Sequence, residues 1–312
     1  MILNKPKFWD KKDNISLFSI FLLPLSLIAI IKNYYENSKT KKNFYDLKTI
    51  CVGNIYIGGT GKTPLVDNLA TYFKKKFKTF IIKKNYTSHL DEKKLLEAKH
   101  KVIFEKTREL SIIKAENLNA EMLIFDDGLQ EKRINYGLKI VCFNSIKLDG
   151  NGLIIPAGPL RERLDSIKYY DVVLINGDVN KETKKFIEKV KRIKPNIKIF
   201  TGKYVPKNYT KFRKKKFFLF SGIGNPHTFS DTLQGLKINF KGYEKFPDHY
   251  DYKESDLQKL QSLAKLKNCE LLTTEKDYLR IKKSYRKNLN FLKVELLVDQ
   301  EKQFYKYLSE KL

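Results

Sequence analysis

A glycine-rich segment that separates an apolar run from an amphipathic one constrains this chain most. VGNIYIGGTGKTP, residues 52–64, follows LKTIC and precedes LVDNLATYFKKK. A strand, a glycine loop ending in Lys-Thr and a helix, in this order, are typical of a phosphate-binding loop. Glycines let backbone N–H groups face phosphate oxygens, and the helix N-terminus favours an anion. The strict pattern G-x-x-x-x-G-K-[ST] fails at its first position, but the later positions carry the chemistry, so we predict a nucleotide site. Its predicted residues are Tyr56, Ile57, Gly58, Gly59, Thr60, Gly61, Lys62 and Thr63.

Such a loop needs an acidic partner for the metal ion that accompanies nucleoside phosphates. The apolar run MLIFDDG ends at Asp126 and Asp127, as expected of a strand that carries a Walker B carboxylate. We predict that Lys62 contacts the β and γ phosphates and that Thr63 binds Mg²⁺. One of the two carboxylates holds the metal, directly or through water, and the other positions ligands or the nucleophile. The predicted cofactors are therefore ATP and Mg²⁺. The alternative for the loop is a glycine turn without a ligand, and the alternative for Asp126 and Asp127 is a solvated turn after a strand.

Short apolar runs alternate with amphipathic runs along the rest of the chain. KTFIIK, KVIFE, LKIVCF and NIKIF are typical of strands, and KETKKFIEKVKRI is typical of a helix. This alternation predicts an α/β fold, a P-loop NTPase-like doubly wound sheet with a parallel core. The basic segment KYVPKNYTKFRKKK has no clear period and predicts a domain boundary. The predicted domains are a P-loop domain over 33–204 and a second, smaller α/β domain over 205–312.

The N-terminal part of the chain is strongly apolar. Residues 15–31, ISLFSIFLLPLSLIAII, contain no charge. As a helix they would measure about 26 Å, slightly less than the roughly 30 Å hydrocarbon core of a bilayer, and Pro24 would kink them. No small-residue cleavage site follows, which disfavours a signal peptide. We predict that residues 1–32 form a membrane-associated anchor helix that lies in the bilayer surface; a buried core helix is the alternative.

The charge balance is strongly basic. Lys and Arg total 62 against 35 Asp and Glu, which gives a net charge of +27. A bias toward AT-rich codons explains part of this excess, and the remainder favours an anionic partner such as a membrane surface. Nucleic acid is not predicted as a partner, because only eight residues are Arg, the preferred base reader. Three cysteines without a C-x-x-C pair disfavour a disulfide scaffold and a structural zinc site.

Six motifs spread over nearly the whole body of the chain occur in a characteristic order. They are VGNIYIGGTGKTP, DDGLQ, GNGLIIPAGPLRERL, GIGNPHTF, FPDHYDY and LLTTEKD. Together they resemble the tetraacyldisaccharide 4'-kinase family, the lipid A 4'-kinases. The resemblance implies transfer of the ATP γ-phosphoryl group to the 4'-hydroxyl of a tetraacylated glucosamine disaccharide 1-phosphate. It also implies a membrane-associated N-terminal helix and a location at the cytoplasmic face of the bacterial inner membrane. The expected partners are the lipid disaccharide and an anionic membrane surface, and the expected state is a monomer.

The resemblance also assigns residues to the acceptor. The family's G-D-E-P-L-L segment corresponds to LDEKKLLEA, which implies Asp91 as the base and Glu92 as a substrate residue. His249, in PDHYDY, is the implied partner of Asp91, and Asp248 is adjacent. Two departures concern the substrate-facing part: the family's S-R-G-Y-G run is KKNYTSH, and its DDGLQH motif is DDGLQE.

Two further segments have a local interpretation beside the functional one. Arg161 and Glu162, in PLRER, are predicted substrate residues, with Arg161 binding a phosphate; the alternative is a plain surface ion pair. In TTEKD, Thr274 is predicted to cap a helix three residues before Asp277, so no catalytic role is assigned to this motif.

Two other functions are compatible with the phosphate loop. The first is a membrane-attached P-loop nucleotide switch, an ATPase that uses water as the nucleophile and needs a partner surface. The second is a basic, nucleic-acid-binding ATPase. The identity of the phosphate acceptor distinguishes the three.

Overall fold

A computed structural model describes residues 6–10, 15–39, 43, 45–84, 90–224, 226–248 and 250–312. The chain divides into two compact units. The first contains Met1–Lys84, His100–Lys203 and Leu296–Leu312, and the second contains Asn85–Lys99 and Tyr204–Glu295.

Strands and helices alternate along the chain. The strands are β1 Lys48–Gly53, β2 Thr79–Lys84, β3 Val102–Glu105, β4 Met122–Asp126, β5 Leu138–Asn144, β6 Val172–Asn176, β7 Lys198–Pro206, β8 Lys216–Ser221, β9 Asn239–Lys245, β10 Glu270–Thr274, β11 Leu289–Leu292 and β12 Val294–Val298. The α-helices are α1 Leu17–Lys39, α2 Lys62–Phe73, α3 Leu90–Glu97, α4 Arg108–Asn117, α5 Lys181–Ile193, α6 Pro226–Gly235, α7 Glu254–Leu266, α8 Glu275–Arg280 and α9 Glu301–Lys311. A short 3₁₀ helix, Lys7–Asp10, precedes α1.

The larger sheet has eight strands in the order β12-β7-β6-β5-β1-β4-β2-β3. From β7 to β3 all neighbours pair in parallel. β4 and β6 are buried at every residue, as expected for parallel strands that are covered on both faces. This confirms the predicted doubly wound α/β fold with a parallel core.

The order of the strands brings the glycine loop to an acidic edge. β1 lies between β5 and β4, and the register places Val52 opposite Asp126. The carboxyl ends of both strands therefore meet where the loop begins, which is the usual ligand edge of an open parallel sheet.

The second unit contains a smaller parallel sheet of four strands in the order β11-β10-β8-β9. Phe217 and Leu219 pack in a cluster on one face of β8, and Phe218 and Phe220 pack in a cluster on the other. Thr274 caps α8, because its hydroxyl accepts a hydrogen bond from the Asp277 amide at 3.2 Å. The predicted structural role of TTEKD is thus confirmed.

The two units differ from the sequence-based division in two segments. Leu296–Leu312, placed by sequence in the second domain, groups with the first unit. There β12 lies beside β7 and the ring of Tyr305 in α9 stacks on Tyr72 at 3.9 Å. Asn85–Lys99 groups with the second unit, where Lys94 donates to the carbonyl oxygen of Leu279 at 3.4 Å. The central segment of the first unit ends at Lys203.

Helix α1 leaves much of its apolar surface uncovered. The exposed fractions of Leu17 and Phe21 are 82% and 83%, so α1 is not a buried core helix. Ser19 and Ser26 are buried instead. Pro24 lies inside the helix. Among the described residues, no helix combines the length and the apolar character needed to cross a bilayer.

Candidate active site

The glycine loop connects β1 to α2 with two residues in the left-handed region. Gly58 has φ +117° and Gly61 has φ +89°, conformations that side chains with a Cβ rarely adopt. Asn54 fastens the loop internally, because its amide donates to the carbonyl oxygens of Tyr56 and Gly58 at 2.5 and 3.1 Å. Tyr56 itself lies outside the left-handed region, so the departure from glycine at this position costs no backbone strain.

Helix α2 begins at Lys62, directly after Gly61. Its N-cap residue, Gly61, has no side chain that could accept a hydrogen bond from the first turn. The first amides of the helix therefore remain as donors at the loop, where they suit an oxyanion such as a phosphate.

Asp126 is the buried acid of the site. Its exposed fraction is 1%, and its Oδ2 accepts from the Thr63 hydroxyl at 3.2 Å and pairs with the Lys83 ammonium at 2.5 Å. Lys83 is the register partner of Asp126 across β2 and β4, which places both side chains on one face of the sheet. Sequence reasoning missed Lys83, since only the order of the strands brings β2 beside β4.

Thr63 and Asp126 have the chemistry of a magnesium site. The second carboxylate oxygen of Asp126, Oδ1, is buried and has no hydrogen-bond partner among the described residues. Nor do those residues contain a cluster of three or more His, Cys, Asp or Glu side chains able to hold a metal. The hydroxyl of Thr63 and the carboxylate of Asp126 are oxygen donors of the kind that suits Mg²⁺, which takes one or two carboxylates together with water and substrate phosphates.

Asp127 holds two cations beside the loop. Its carboxylate lies 3.0 and 3.2 Å from Nη1 of Arg161 and 3.7 Å from Nζ of Lys62. Burial opposes ionisation of this carboxyl, but the charges of Lys62 and Arg161 outweigh burial and lower its pKa. The backbone of Asp127 is left-handed, with φ +60°, and its amide donates to the Val52 carbonyl oxygen at 2.8 Å.

A further buried cation, Arg108, lies behind this pair. It begins α4, has an exposed fraction of 7%, and donates from Nη2 to the carbonyl oxygen of Asp127. Sequence reasoning missed Arg108 because it follows β3, far from the loop in sequence. Arg108 also lies in none of the six sequence motifs.

Arg161 and Glu162 have different partners. Besides Asp127, Arg161 donates to the side-chain oxygen of Gln130 at 3.1 Å. Glu162 accepts from Lys132 at 3.1 Å and from the Tyr170 hydroxyl at 3.0 Å. The Glu162 side chain is only 11% exposed, so it does not lie on the open surface.

The predicted acceptor residues belong to the second unit. Asp91 and Glu92 lie in α3, but their side chains fall outside the described residues, as does His249. Asp248 is exposed. The roles assigned to these four residues stay predictions.

Comparison with known proteins identifies the family. The model of the LpxK family, described as tetraacyldisaccharide-1-P 4'-kinase, matches residues 17–312. The chain belongs to this family. The tetraacyldisaccharide 4'-kinase of Pelagibacter ubique is 43% identical over 97% of this chain and 96% of that protein. The enzyme of Rickettsia canadensis is 34% identical over 94% of this chain and 93% of that protein.

A solved structure agrees on the fold. The crystal structure of LpxK from Aquifex aeolicus in complex with ATP covers 95% of this chain and 99% of its own, with a TM-score of 0.73 at 22% identity. Membership of the tetraacyldisaccharide-1-P 4'-kinase family supports the kinase interpretation over the nucleotide switch.

The buried pair of Lys83 and Asp126 generates a stability prediction. Replacing Lys83 with Met should lower the free energy of unfolding by about 3–5 kcal/mol, because it leaves a buried carboxylate without its cation. Denaturant unfolding in EDTA measures the change. Lys84→Met, at the exposed neighbouring position of β2, is the matched control and should change stability little. Adding Asp126→Asn to Lys83→Met should recover part of the loss. Equal stability of the Lys83→Met and Lys84→Met proteins would contradict the prediction.

Proposed function

We propose that this chain transfers the γ-phosphoryl group of ATP to the 4'-hydroxyl of a tetraacyl glucosamine disaccharide 1-phosphate. One observation carries the proposal: Lys62 and Arg161 both approach the carboxylate of Asp127 beside the glycine loop, at 3.7 and 3.0 Å. Phosphoryl transfer depends mainly on alignment and on positive charge held in a fixed place. The family to which the chain belongs indicates the acceptor, a tetraacyldisaccharide 1-phosphate.

Residues of the first unit have different roles in binding the nucleotide. The loop amides and Lys62 bind its phosphates, and Asp127 keeps Lys62 and Arg161 in position. Thr63 and Asp126 would hold Mg²⁺, with Asp127 as the other candidate ligand. When bound, Mg²⁺ neutralises charge on the transferred phosphate. Because Asp126 presents an unpartnered oxygen and Asp127 is already paired with Arg161, we assign direct metal contact to Asp126.

For the acceptor, we propose Asp91 as the base that receives the proton of the attacking 4'-hydroxyl. His249 would orient and tune that carboxylate, as an imidazole does through a hydrogen bond. The remaining proposed substrate residues are Glu92, Arg161, Glu162 and Asp248. The family resemblance supports these assignments.

We also propose that the enzyme works as a monomer on the cytoplasmic face of the bacterial inner membrane, where ATP is available. The exposed apolar side chains of α1 support this location, because moving apolar surface out of water lowers the free energy by about 25 cal/mol per Å². The net charge of +27 adds attraction to anionic lipids.

The acceptor assay tests the central proposal. With γ-labelled ATP, Mg²⁺ and the disaccharide lipid, the label should appear on the lipid's 4' position. Lys62→Ala should nearly abolish this transfer, whereas Lys75→Ala, which removes the same charge at an exposed site just beyond α2, should retain it. Label released to water in the absence of lipid would favour the switch, and release stimulated by DNA would favour the nucleic-acid-binding ATPase. Near-normal transfer by Lys62→Ala would exclude the loop as the phosphate site.

A second series tests the acceptor residues. Asp91→Asn and His249→Ala should each lower kcat by about 10²–10⁴-fold with little change in the KM for ATP, as expected for positioned base catalysis. The double variant should be little worse than the poorer single one if the two residues act as a unit. Glu92→Gln is the control for the choice of carboxylate. Full loss in Glu92→Gln with normal Asp91→Asn would move the base to Glu92 and leave the kinase proposal standing.

The membrane proposal concerns exposed side chains of α1. Replacing Leu17, Phe21 and Ile28 with Gln should move the protein from the membrane pellet toward the supernatant in a sedimentation assay at high salt. Leu266→Gln is the matched control, because Leu266 is as exposed as Leu17 but lies in α7 of the second unit. Unchanged pelleting of the triple variant would place the anchor elsewhere. Pelleting that survives only at low salt would assign it to the lysine-rich surface.

A further inference from the structure

The side chain of Tyr56 is buried against residues that lie outside the glycine loop. Its exposed fraction is 2%, and it packs with Ile154, Leu160 and Ile30 of α1. Its hydroxyl donates to Oδ1 of Asp10, in the 3₁₀ helix before α1, at 2.5 Å. The residue that breaks the phosphate-loop pattern thus connects the loop to the N-terminal segment, here defined as residues 6–10 and 15–31.

The N-terminal segment also binds the chain that runs alongside the loop. Trp9 donates from its indole to the carbonyl oxygen of Pro156 at 3.0 Å, and its own carbonyl oxygen accepts from Asn151 at 3.0 Å. The buried Ser26 donates to the carbonyl oxygen of Ile154 at 2.8 Å and accepts from the amide of Ala157 at 3.1 Å. A buried serine with both bonds satisfied belongs to a packed interface, not to a loosely attached tail.

Residues 154–161 then contact the loop backbone. The amide of Ile57 donates to the carbonyl oxygen of Pro159 at 2.9 Å, and Tyr56 forms an antiparallel bridge with Leu160. The amide of Arg161 donates to the carbonyl oxygen of Ile55 at 2.6 Å. The same segment therefore positions the loop and the phosphate-site cation Arg161.

We propose that the N-terminal segment is a structural wall of the nucleotide site and that the hydrogen bond from Tyr56 to Asp10 positions the glycine loop for ATP. Tyr56 is a positioning residue in this arrangement, since it acts through the loop amides that follow it. The inference rests on the proposed use of ATP. It gives residues 6–10 a role that a membrane anchor alone does not require.

Two single variants and their combination test the contact in the full-length protein in detergent micelles. Tyr56→Phe removes the hydroxyl, and Asp10→Ala removes its acceptor together with the ion pair to Lys147, which a separate control removes alone. Each should weaken binding of a fluorescent ATP analogue by roughly 3–10-fold, the effect of losing one hydrogen bond, and raise the KM for ATP more than it lowers kcat. The double variant should be no weaker than the single ones, because both remove the same bond. Asp10→Asn, which keeps an acceptor oxygen, should restore most of the affinity.

The controls separate positioning from other effects. Lys147→Ala removes a cation 3.7 Å from Asp10 without touching the hydroxyl bond, and its affinity should stay within about 2-fold of wild type. Amide hydrogen exchange of residues 53–61 without nucleotide should quicken in Tyr56→Phe and Asp10→Ala, but not in Lys147→Ala. Co-sedimentation with vesicles should be unchanged in all of them, because no exposed apolar residue is altered.

The outcomes distinguish this inference from the proposed function. Wild-type binding of ATP together with unchanged affinity and exchange in Tyr56→Phe and Asp10→Ala would overturn the positioning role alone. Additive losses in the double variant would also overturn it, since they would mean two independent effects. Failure of the wild type to bind ATP would overturn the proposed function and the inference with it.

Discussion

The site depends on the neutralisation of two adjacent carboxylates at the buried end of β4. Removing a carboxylate from water costs several kcal/mol unless cations and hydrogen bonds replace the lost hydration. Asp126 meets this requirement through Lys83 and Thr63, and Asp127 meets it through Lys62 and Arg161. The cations that a phosphate needs are therefore already assembled around the acids.

This arrangement separates the roles of the two carboxylates. Asp127 is paired with cations at the open side of the loop, and its lowered pKa keeps it ionised. Asp126 lies deeper and keeps one oxygen without a partner among the described residues. An unpartnered buried oxygen is costly, so it marks the place where an additional cation would be most stabilising. Because Lys83 already pairs with one oxygen of Asp126, a metal ion would share this carboxylate with the Lys83 ammonium.

The N-terminal segment combines two surfaces that are usually separate. One side of α1 exposes large apolar side chains, whereas its buried Ser26 bonds to Ile154 and Ala157. The chain runs on from these residues to Arg161, and hydrogen bonds join this stretch to the glycine loop. Hydrogen bonds therefore connect the helix that we propose to bind the membrane with the phosphate site. If α1 anchors the enzyme as proposed, the anchor and the nucleotide loop are supported by the same residues, which suits an enzyme whose acceptor is a lipid.

Local patterns in the sequence determined the glycine loop, the strand that ends at Asp126, the parallel α/β fold and the cap at Thr274. Each depends on residues a few positions apart, whose backbone preferences and hydrogen bonds act within one element. Motif order along the chain determined the family. Tertiary structure alone decided that Lys83 faces Asp126, that Arg108 lies behind Asp127, and that Tyr56 bonds to Asp10. It also decided that Leu296–Leu312 joins the first unit and Asn85–Lys99 the second. These contacts join residues far apart in sequence, and they follow from strand order and from the need to pair buried charges and polar groups, which no local pattern encodes.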